Sequence, residues 1–429
     1  MLESYLRKQI SKLFIGEKEI ALQAKIPSLD QLNSKFQDID ELGLYLHIPF
    51  CEQICPYCPY NKEIYHRETA KKYAAAVKRE IDFYSQLIGH KPVTSFYIGG
   101  GTPTTMLDNG LEEILAHIFY KFNMRCEIHL ESHPNHLSLD NLKTIKSLKV
   151  TNLSVGVEAL QDRHLNFLKR PYNAREVLAN IRRAIDMEFK CLNADFIFSL
   201  PNQTCDEIKQ AGQILAEIGV DQVAAYPLFR FPYTKLGSDG NGFQKVAILK
   251  RKKMLSILED IFYHAGFERS SVWAFTKKGI PKYCSVTVPL YLGLGASGGS
   301  YLKDIFYVNT FNATEYIKAL ENGKMAIALS LDLSEKMQMA GWLYWRIYET
   351  KFKKVDFNKR FAKDFSSLYG KFMKLLALLG FLKDNGEQII LSDKGSYWLH
   401  AFEDFFSIDY ISKLWGTSYR KPWPKRVVL

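Results

Sequence analysis

The sequence predicts an α/β protein: a parallel sheet with helices outside it, curled into a full or partial βα barrel, followed by a small C-terminal helical domain with a wing. Three observations predict this. Short β-rich runs alternate with amphipathic helical runs from residue 42 to residue 229, and such alternation marks parallel strands joined by crossover helices. Nearly every conspicuous short motif falls just after a β-rich run, at the strand ends where the chemistry of such barrels gathers. Beyond about residue 330 the alternation gives way to longer helical periods around one tight hairpin.

Residues 1–40 read as a helical lead-in, with Leu2, Leu6, Ile10, Leu13 and Phe14 at helical spacing. LGLYLHI (42–48) is the first barrel strand, and ETAKKYAAAVKREIDFYSQLI is the helix after it. VTSFYIGG with LEEILAHIFYKF, CEIHLES with LDNLKTIKSL, TNLSVGVEA with AREVLANIRRAIDME, and LNADFIFSL with CDEIKQAGQILAEI repeat the unit. DQVAAYPLF supplies a further strand, 245–273 a helix and a strand, and YLGLGASGGSYL (291–302) a glycine-rich turn. The barrel and its substrate-proximal segments are read over 41–325, and the C-terminal domain over 326–429. In that domain SEKMQMAGWLYWRIYE and FNKRFAKDFSSLYGKFMKLLALLGF are helical, and Asn385-Gly386 makes the hairpin turn. The wing has no basic recognition helix beside it, so a lid or docking role is expected of it rather than DNA binding.

With 47% hydrophobic and 24% charged residues the chain has the composition of an ordinary folded protein. No apolar run approaches the roughly 18 residues of a membrane span, and MLESYLRKQISKLFIGEKEI mixes charge into every turn, unlike a secretory signal. A cytoplasmic monomer is expected. Lys and Arg (57) exceed Asp and Glu (46), a net charge of +11 that suits either an anionic partner or a solvated surface. The densest basic patches, KRKK (250–253), KFKK (351–354) and YRKPWPKR near the end, match no nucleic-acid motif. No nucleic-acid partner and at most peripheral membrane contact are therefore expected.

Seven cysteines stand at 51, 55, 58, 126, 191, 205 and 284. An odd, scattered set argues against a disulfide framework and for a reducing compartment. Cys51, Cys55 and Cys58 are different: they are spaced four and three residues apart in a loop punctuated by Pro49, Pro56 and Pro59. Three thiols without a fourth suit an iron-sulfur cluster with one open iron. They also suit a zinc ion completed by water, His47 or His66. Asp195 is conspicuous for another reason, since it interrupts the apolar run NADFIFSL, where a buried carboxylate is costly unless paired.

The order of YLHIPFC, YIGGGTPT, ESHPNHL, LSVGVEALQD, ADFIFSLPNQT, LGLGASG and LSDKG, from about 42 to 410, resembles the radical S-adenosylmethionine (SAM) superfamily. Its Cys-x3-Cys-x2-Cys signature, with an aromatic before the last cysteine, is matched by Cys51, Cys55, Tyr57 and Cys58. Within it the chain is similar to the oxygen-independent coproporphyrinogen III oxidase-like, or HemN-like, proteins. The resemblance implies a radical SAM barrel, with a [4Fe-4S] cluster held by Cys51, Cys55 and Cys58. It also implies that SAM is cleaved to a 5′-deoxyadenosyl radical, by an electron from a donor such as flavodoxin or ferredoxin. Contacts to SAM would fall on Tyr45, Tyr57, Gly99, Gly100, Gly101, Thr102, Glu131 and Gly299. A second SAM, which members of this branch can bind, would meet Glu158, Arg170, Asp195 and Phe229.

Several residues depart from the oxidase pattern. Tyr60 stands where the oxidases have a further cysteine, Glu158 replaces a glutamine, and the N-terminal extension lacks a Tyr- and Pro-rich segment. The heme chaperones of the family carry other residues after the cluster than PYNK. TNLSVGVEALQD, ADFIFSLPNQT and DQVAAYPLF resemble the two-SAM methyltransferases that act on menaquinone. Radical methylation of a conjugated ring substrate, a quinone or a porphyrinogen-type tetrapyrrole, is thus the first expectation. Oxidative decarboxylation of coproporphyrinogen III or a heme chaperone role is the alternative, and a zinc-ribbon-like module is the most distant reading.

Overall fold

The structure is a computed structural model that describes residues 15–17, 19–238, 246–282 and 290–429. Its centre is six parallel strands: β1 Leu42–Ile48, β2 Pro92–Gly100, β3 Ile128–Ser132, β4 Val150–Glu158, β5 Cys191–Phe198 and β6 Gln222–Pro227. Each pairs in parallel with its neighbour in sequence, so the order runs β1 to β6 without a swap. Runs such as LGLYLHI and CLNADFIF are buried along nearly their whole length, as strands covered on both faces must be. Crossover helices α1 Arg67–Ile88, α2 Leu111–Lys121, α3 Leu139–Ser147, α4 Ala174–Ile185 and α5 Cys205–Glu217 supply the outer cover. Local chemistry sets where two of them start: Asn173 with Glu176, and Thr204 with Glu207, form reciprocal capping boxes that satisfy free N–H groups in the first turn.

The barrel takes the partial form. On the far side of β6 the sheet continues with the antiparallel strands Ala274–Lys277 and Phe267–Arg269. On the far side of β1 it continues with Tyr291–Leu294, which is parallel to β1, and then with antiparallel Gly299–Leu302, Ile305–Asn309 and Ile327–Asp332. Ala21–Gln23 and Arg426–Val428 complete that edge. The two flanks are not joined to each other among the described residues, which leaves the barrel open.

Two segments differ from their sequence reading. Leu2, Leu6, Ile10, Leu13 and Phe14 lie outside the described residues, but the rest of the expected helical lead-in contains the strand Ala21–Gln23 before the helix Leu29–Gln37. Leu22 on that strand packs with Val308, Leu329 and Val427 in a small separate core, and this long-range burial favours a paired strand at residues 21–23. The main sheet also extends past residue 325 through Ile327–Asp332, because those residues pair with Ile305–Asn309. The boundary of the C-terminal domain therefore falls after this strand, past residue 332, rather than at residue 326.

The winged domain proper has its own core of Trp342, Phe352, Phe357, Phe361, Phe365, Met373 and Ile389. Helices Glu335–Tyr348, Lys354–Phe361 and Phe365–Leu378 pack there against strands Lys351–Lys353, Leu382–Asp384 and Gln388–Leu391. Gly386 takes φ +95° in the expected hairpin turn, where the Asn385 side chain accepts from the Gln388 N–H at 2.8 Å. The long helix Asp393–Arg420 then returns to the barrel. Phe357 is fully buried among Trp342, Phe361, Phe365 and Tyr369. Phe357→Ala is expected to destabilise this domain by about 3–5 kcal/mol, measured as a lower urea midpoint for its unfolding.

Candidate functional site

The cysteine loop leaves the end of β1. Phe50–Cys51 pairs with Glu63–Ile64, so residues 52–62 form a closed excursion. Cys51 is buried, and Cys55 and Cys58 are half-buried. The backbone of the loop is held from several directions: Leu236 N–H donates to Pro56 O at 2.9 Å, Tyr233 Oη to Pro59 O at 3.0 Å, and Tyr419 Oη to Tyr60 O. Lys62 Nζ donates to the carbonyls of Cys58 and Tyr60 at 2.7 and 2.9 Å, and Asn61 Nδ2 to Phe311 O at 2.7 Å. Both ring nitrogens of His47 are taken, Nδ1 by Tyr45 Oη at 2.8 Å and Nε2 by Asn61 O at 3.0 Å. Burial lowers the His47 pKa to about 4, so it is neutral and occupied, not a spare zinc ligand. Among the described residues no group of three or more His, Cys, Asp or Glu is arranged to hold a single metal ion.

Two polar side chains reach the thiols. Thr102 Oγ1 lies 3.6 Å from Cys51 Sγ, and Arg170 Nη1 donates to Cys55 Sγ at 3.2 Å. Burial pushes the Cys51 thiol up to about 12 and raises Cys58 as well. Without metal these two are therefore protonated thiols, and binding of iron must displace their protons.

At the end of β2, Gly100 takes φ +124°, and a Cβ there would stand 2.6 Å from the His47 ring. At Gly101 a Cβ would meet the carbonyls of Pro49 and Phe50 at 2.8 Å. Bare backbone is thus required where β2 passes the start of the cysteine loop.

Three carboxylates lie beside it. Glu131 on β3 accepts from Tyr97 Oη and from Gly100 N–H at 3.0 Å. Glu158 closes β4 with φ +65°, a left-handed conformation that costs a residue with a side chain about 1–3 kcal/mol. It stands 3.8 Å from Arg170 and hydrogen-bonds Tyr57. Asp195 on β5 accepts from Ser154 Oγ at 2.7 Å and Asn193 Nδ2 at 2.9 Å. Burial raises all three pKa values. For Asp195, burial and then the Glu158 and Glu131 charges outweigh its hydrogen bonds and push it up to about 7.

The fold thus brings Cys51, Cys55, Cys58, Tyr45, Tyr57, Gly99, Gly100, Gly101, Thr102, Glu131, Glu158, Arg170 and Asp195 to one end of the parallel strands. Gly299 begins a strand just past the turn that follows Tyr291–Leu294, beside the end of β1. Phe229 packs with Phe231 and Trp273 in an aromatic group after β6. Residues of the site that sequence reasoning passed over are Tyr97, Tyr172 and Glu80. Tyr172 accepts from Arg170 Nε at 2.7 Å. Buried Glu80 on α1 accepts from Gly295 N–H, Asn309 Nδ2 and Tyr316 Oη at 2.7, 2.7 and 2.6 Å, which fixes the glycine-rich turn against the helix. An acidic residue inside the apolar helix face YAAAVKREI was the one signal for it.

The radical SAM superfamily profile matches residues 45–215. Heme chaperone HemW of Bacillus subtilis is 23% identical, over 82% of this chain and 95% of its own. That of Lactococcus lactis is 26% identical, over 85% and 97%. The oxygen-independent coproporphyrinogen III oxidase of Pseudomonas aeruginosa is 23% identical, over 77% of each chain. The structure of coproporphyrinogen III oxidase HemN from Escherichia coli superposes with a TM-score of 0.75 at 19% identity, covering 92% of this chain and 95% of that one. This chain therefore carries a radical SAM domain with the HemN fold and HemN- and HemW-like relatives. The superfamily implies a [4Fe-4S] cluster and SAM, and the residues present fit both: three thiols on one tethered loop, with a side-chain-free backbone beside them.

Two outcomes follow from the charges. The folded chain keeps a proton on Asp195 that the unfolded chain loses near pH 4, so on its account stability falls as the pH rises from roughly 4 toward 7. In urea melts of the metal-free chain across that window, Asp195→Asn should show a correspondingly smaller loss. Arg170→Gln removes a cation and an N–H···S donor from Cys55, and hydrogen bonds to the ligating sulfurs help set a cluster's potential. A more negative midpoint potential is expected in EPR-monitored redox titration of the reconstituted protein.

Proposed function

We propose that this protein is a tetrapyrrole-handling radical SAM protein of the HemN and HemW kind, and that its role is to bind and deliver heme. The observation that carries this is the span of the sequence likeness, since the fold likeness to HemN also covers 95% of that chain. The two HemW relatives align over 95% and 97% of their length, against 77% for the Pseudomonas aeruginosa oxidase. Tyr60 counts against the oxidase, since it stands where the oxidase pattern has a further cysteine, although PYNK departs from the chaperone pattern as well. Methylation of a quinone, the first expectation from the sequence phrases, has no support from these relatives, which are heme chaperones and coproporphyrinogen oxidases.

Oxidative decarboxylation of coproporphyrinogen III is the second reading, favoured by the acids grouped at the barrel mouth. When bound, the cluster and SAM supply a carbon-centred radical. The residues of the chain would then keep that region dry, orient the nucleoside and hold protons. Asp195, near 7, is poised to hold or release one at neutral pH. Glu131 and Glu158, beside Gly100 and Arg170, would receive the amino and hydroxyl groups of one SAM or two.

Anaerobic reconstitution followed by heme titration tests the proposal. Saturable heme binding with a shifted Soret band, without loss of coproporphyrinogen III when that compound, SAM and a reductant are supplied, is expected. Consumption of coproporphyrinogen III with formation of 5′-deoxyadenosine would replace the chaperone reading by the oxidase one. S-adenosylhomocysteine formed with menaquinone would restore methyl transfer.

A further inference from the structure

The helix Phe365–Leu378 of the winged domain has an apolar surface wider than its packing uses. Phe365, Met373 and Leu376 are buried in the domain core. Alongside them Leu368, Leu375, Leu378 and Leu379 stand out at 51, 52, 86 and 50% exposure. At 3.6 residues per turn these four share one face of the helix and its C-terminal end. Contiguous exposed apolar side chains of this size mark an interaction surface more often than chance.

The surrounding charge is predominantly basic. Residues 365–383 contain Lys371, Lys374 and Lys383 and no Asp or Glu. Just beyond, Asp384 is paired with Lys354 at 2.7 Å and also feels the charge of Lys374, and Lys394 caps the helix end by donating to Leu379 O at 2.9 Å. Asp364 is occupied as the N-cap, accepting from Ser367, and Glu387 sits at the tip of the wing.

We infer that this stripe docks the protein on an anionic lipid surface. The side chains protrude from a convex helix rather than lining a groove, which suits shallow insertion among lipid headgroups, and the flanking lysines suit their phosphates. A second copy of the chain is a poorer occupant. Four side chains on one short helix fall well below the roughly 20–30 residues a side of a standard stable interface. The inference does not depend on which tetrapyrrole reaction the barrel performs.

Flotation of the full-length, reconstituted protein tests it, with vesicles of phosphatidylcholine alone and of phosphatidylcholine with an equal part of phosphatidylglycerol. Binding to the anionic vesicles only, weakened by salt, is expected. The double variants Leu375→Ser with Leu378→Ser, and Lys371→Glu with Lys374→Glu, should each lower that binding about tenfold or more. All four residues lie outside the domain core, so unchanged thermal melts will show that the fold is kept. Equal binding to neutral vesicles, or none to either, would overturn the inference. So would self-association of the wild type that the serine variant abolishes, which would make the stripe an interface between copies.

Discussion

The site depends on one closure: the cysteine loop begins and ends on the same hydrogen-bonded patch at the end of β1. Glu63 N–H donates to Pro49 O at 2.6 Å and Tyr65 N–H to Cys51 O at 2.9 Å, which returns the chain to where it left. With its ends joined, the loop loses little further entropy on ordering, and the tethers from Tyr233, Leu236 and Asn61 act on an already short excursion. Tyr419 adds the end of the long C-terminal helix to this hold. The winged domain is therefore connected mechanically to the cluster loop, although its own core is separate.

Around that loop the structure accepts unfavourable electrostatics. Glu131, Glu158 and Asp195 lie half-buried on neighbouring strands; the Glu158 charge raises the cost of ionising Glu131, and both raise it for Asp195. Such an arrangement persists only where other groups compensate, here Arg170, the Gly100 N–H, Ser154 and Asn193. Arg170 is the pivot, since it reaches Tyr172, the Gly156 carbonyl and the Cys55 sulfur at once. A guanidinium with five fixed donors can do this where a lysine could not.

The extended sheet explains how distant parts of the chain come to share the site. Strands added to the free side of β1 carry the glycine-rich turn to the mouth of the barrel, and Glu80 anchors that turn from α1. At the outer edge, Ala21–Gln23 and Arg426–Val428 pair with each other, so the described ends of the chain close the sheet together.

By itself the sequence determined the parallel core, the winged hairpin and the three-cysteine loop, because strand–helix alternation, Asn-Gly turn chemistry and thiol spacing are all local properties. It also pointed to Gly100 and Asp195, whose oddity shows against their neighbours: a run of three glycines after a strand, and an acid inside an apolar one. Only the tertiary structure decided that Ala21–Gln23 is a strand, that Arg170 faces Cys55 rather than solvent, and that Tyr233 and Tyr419 hold a loop 174 and 359 residues away. Those outcomes depend on which surfaces meet when the sheet curls. Periodicity in a sequence tells which face of an element is buried, and does not tell which distant residue lies against it.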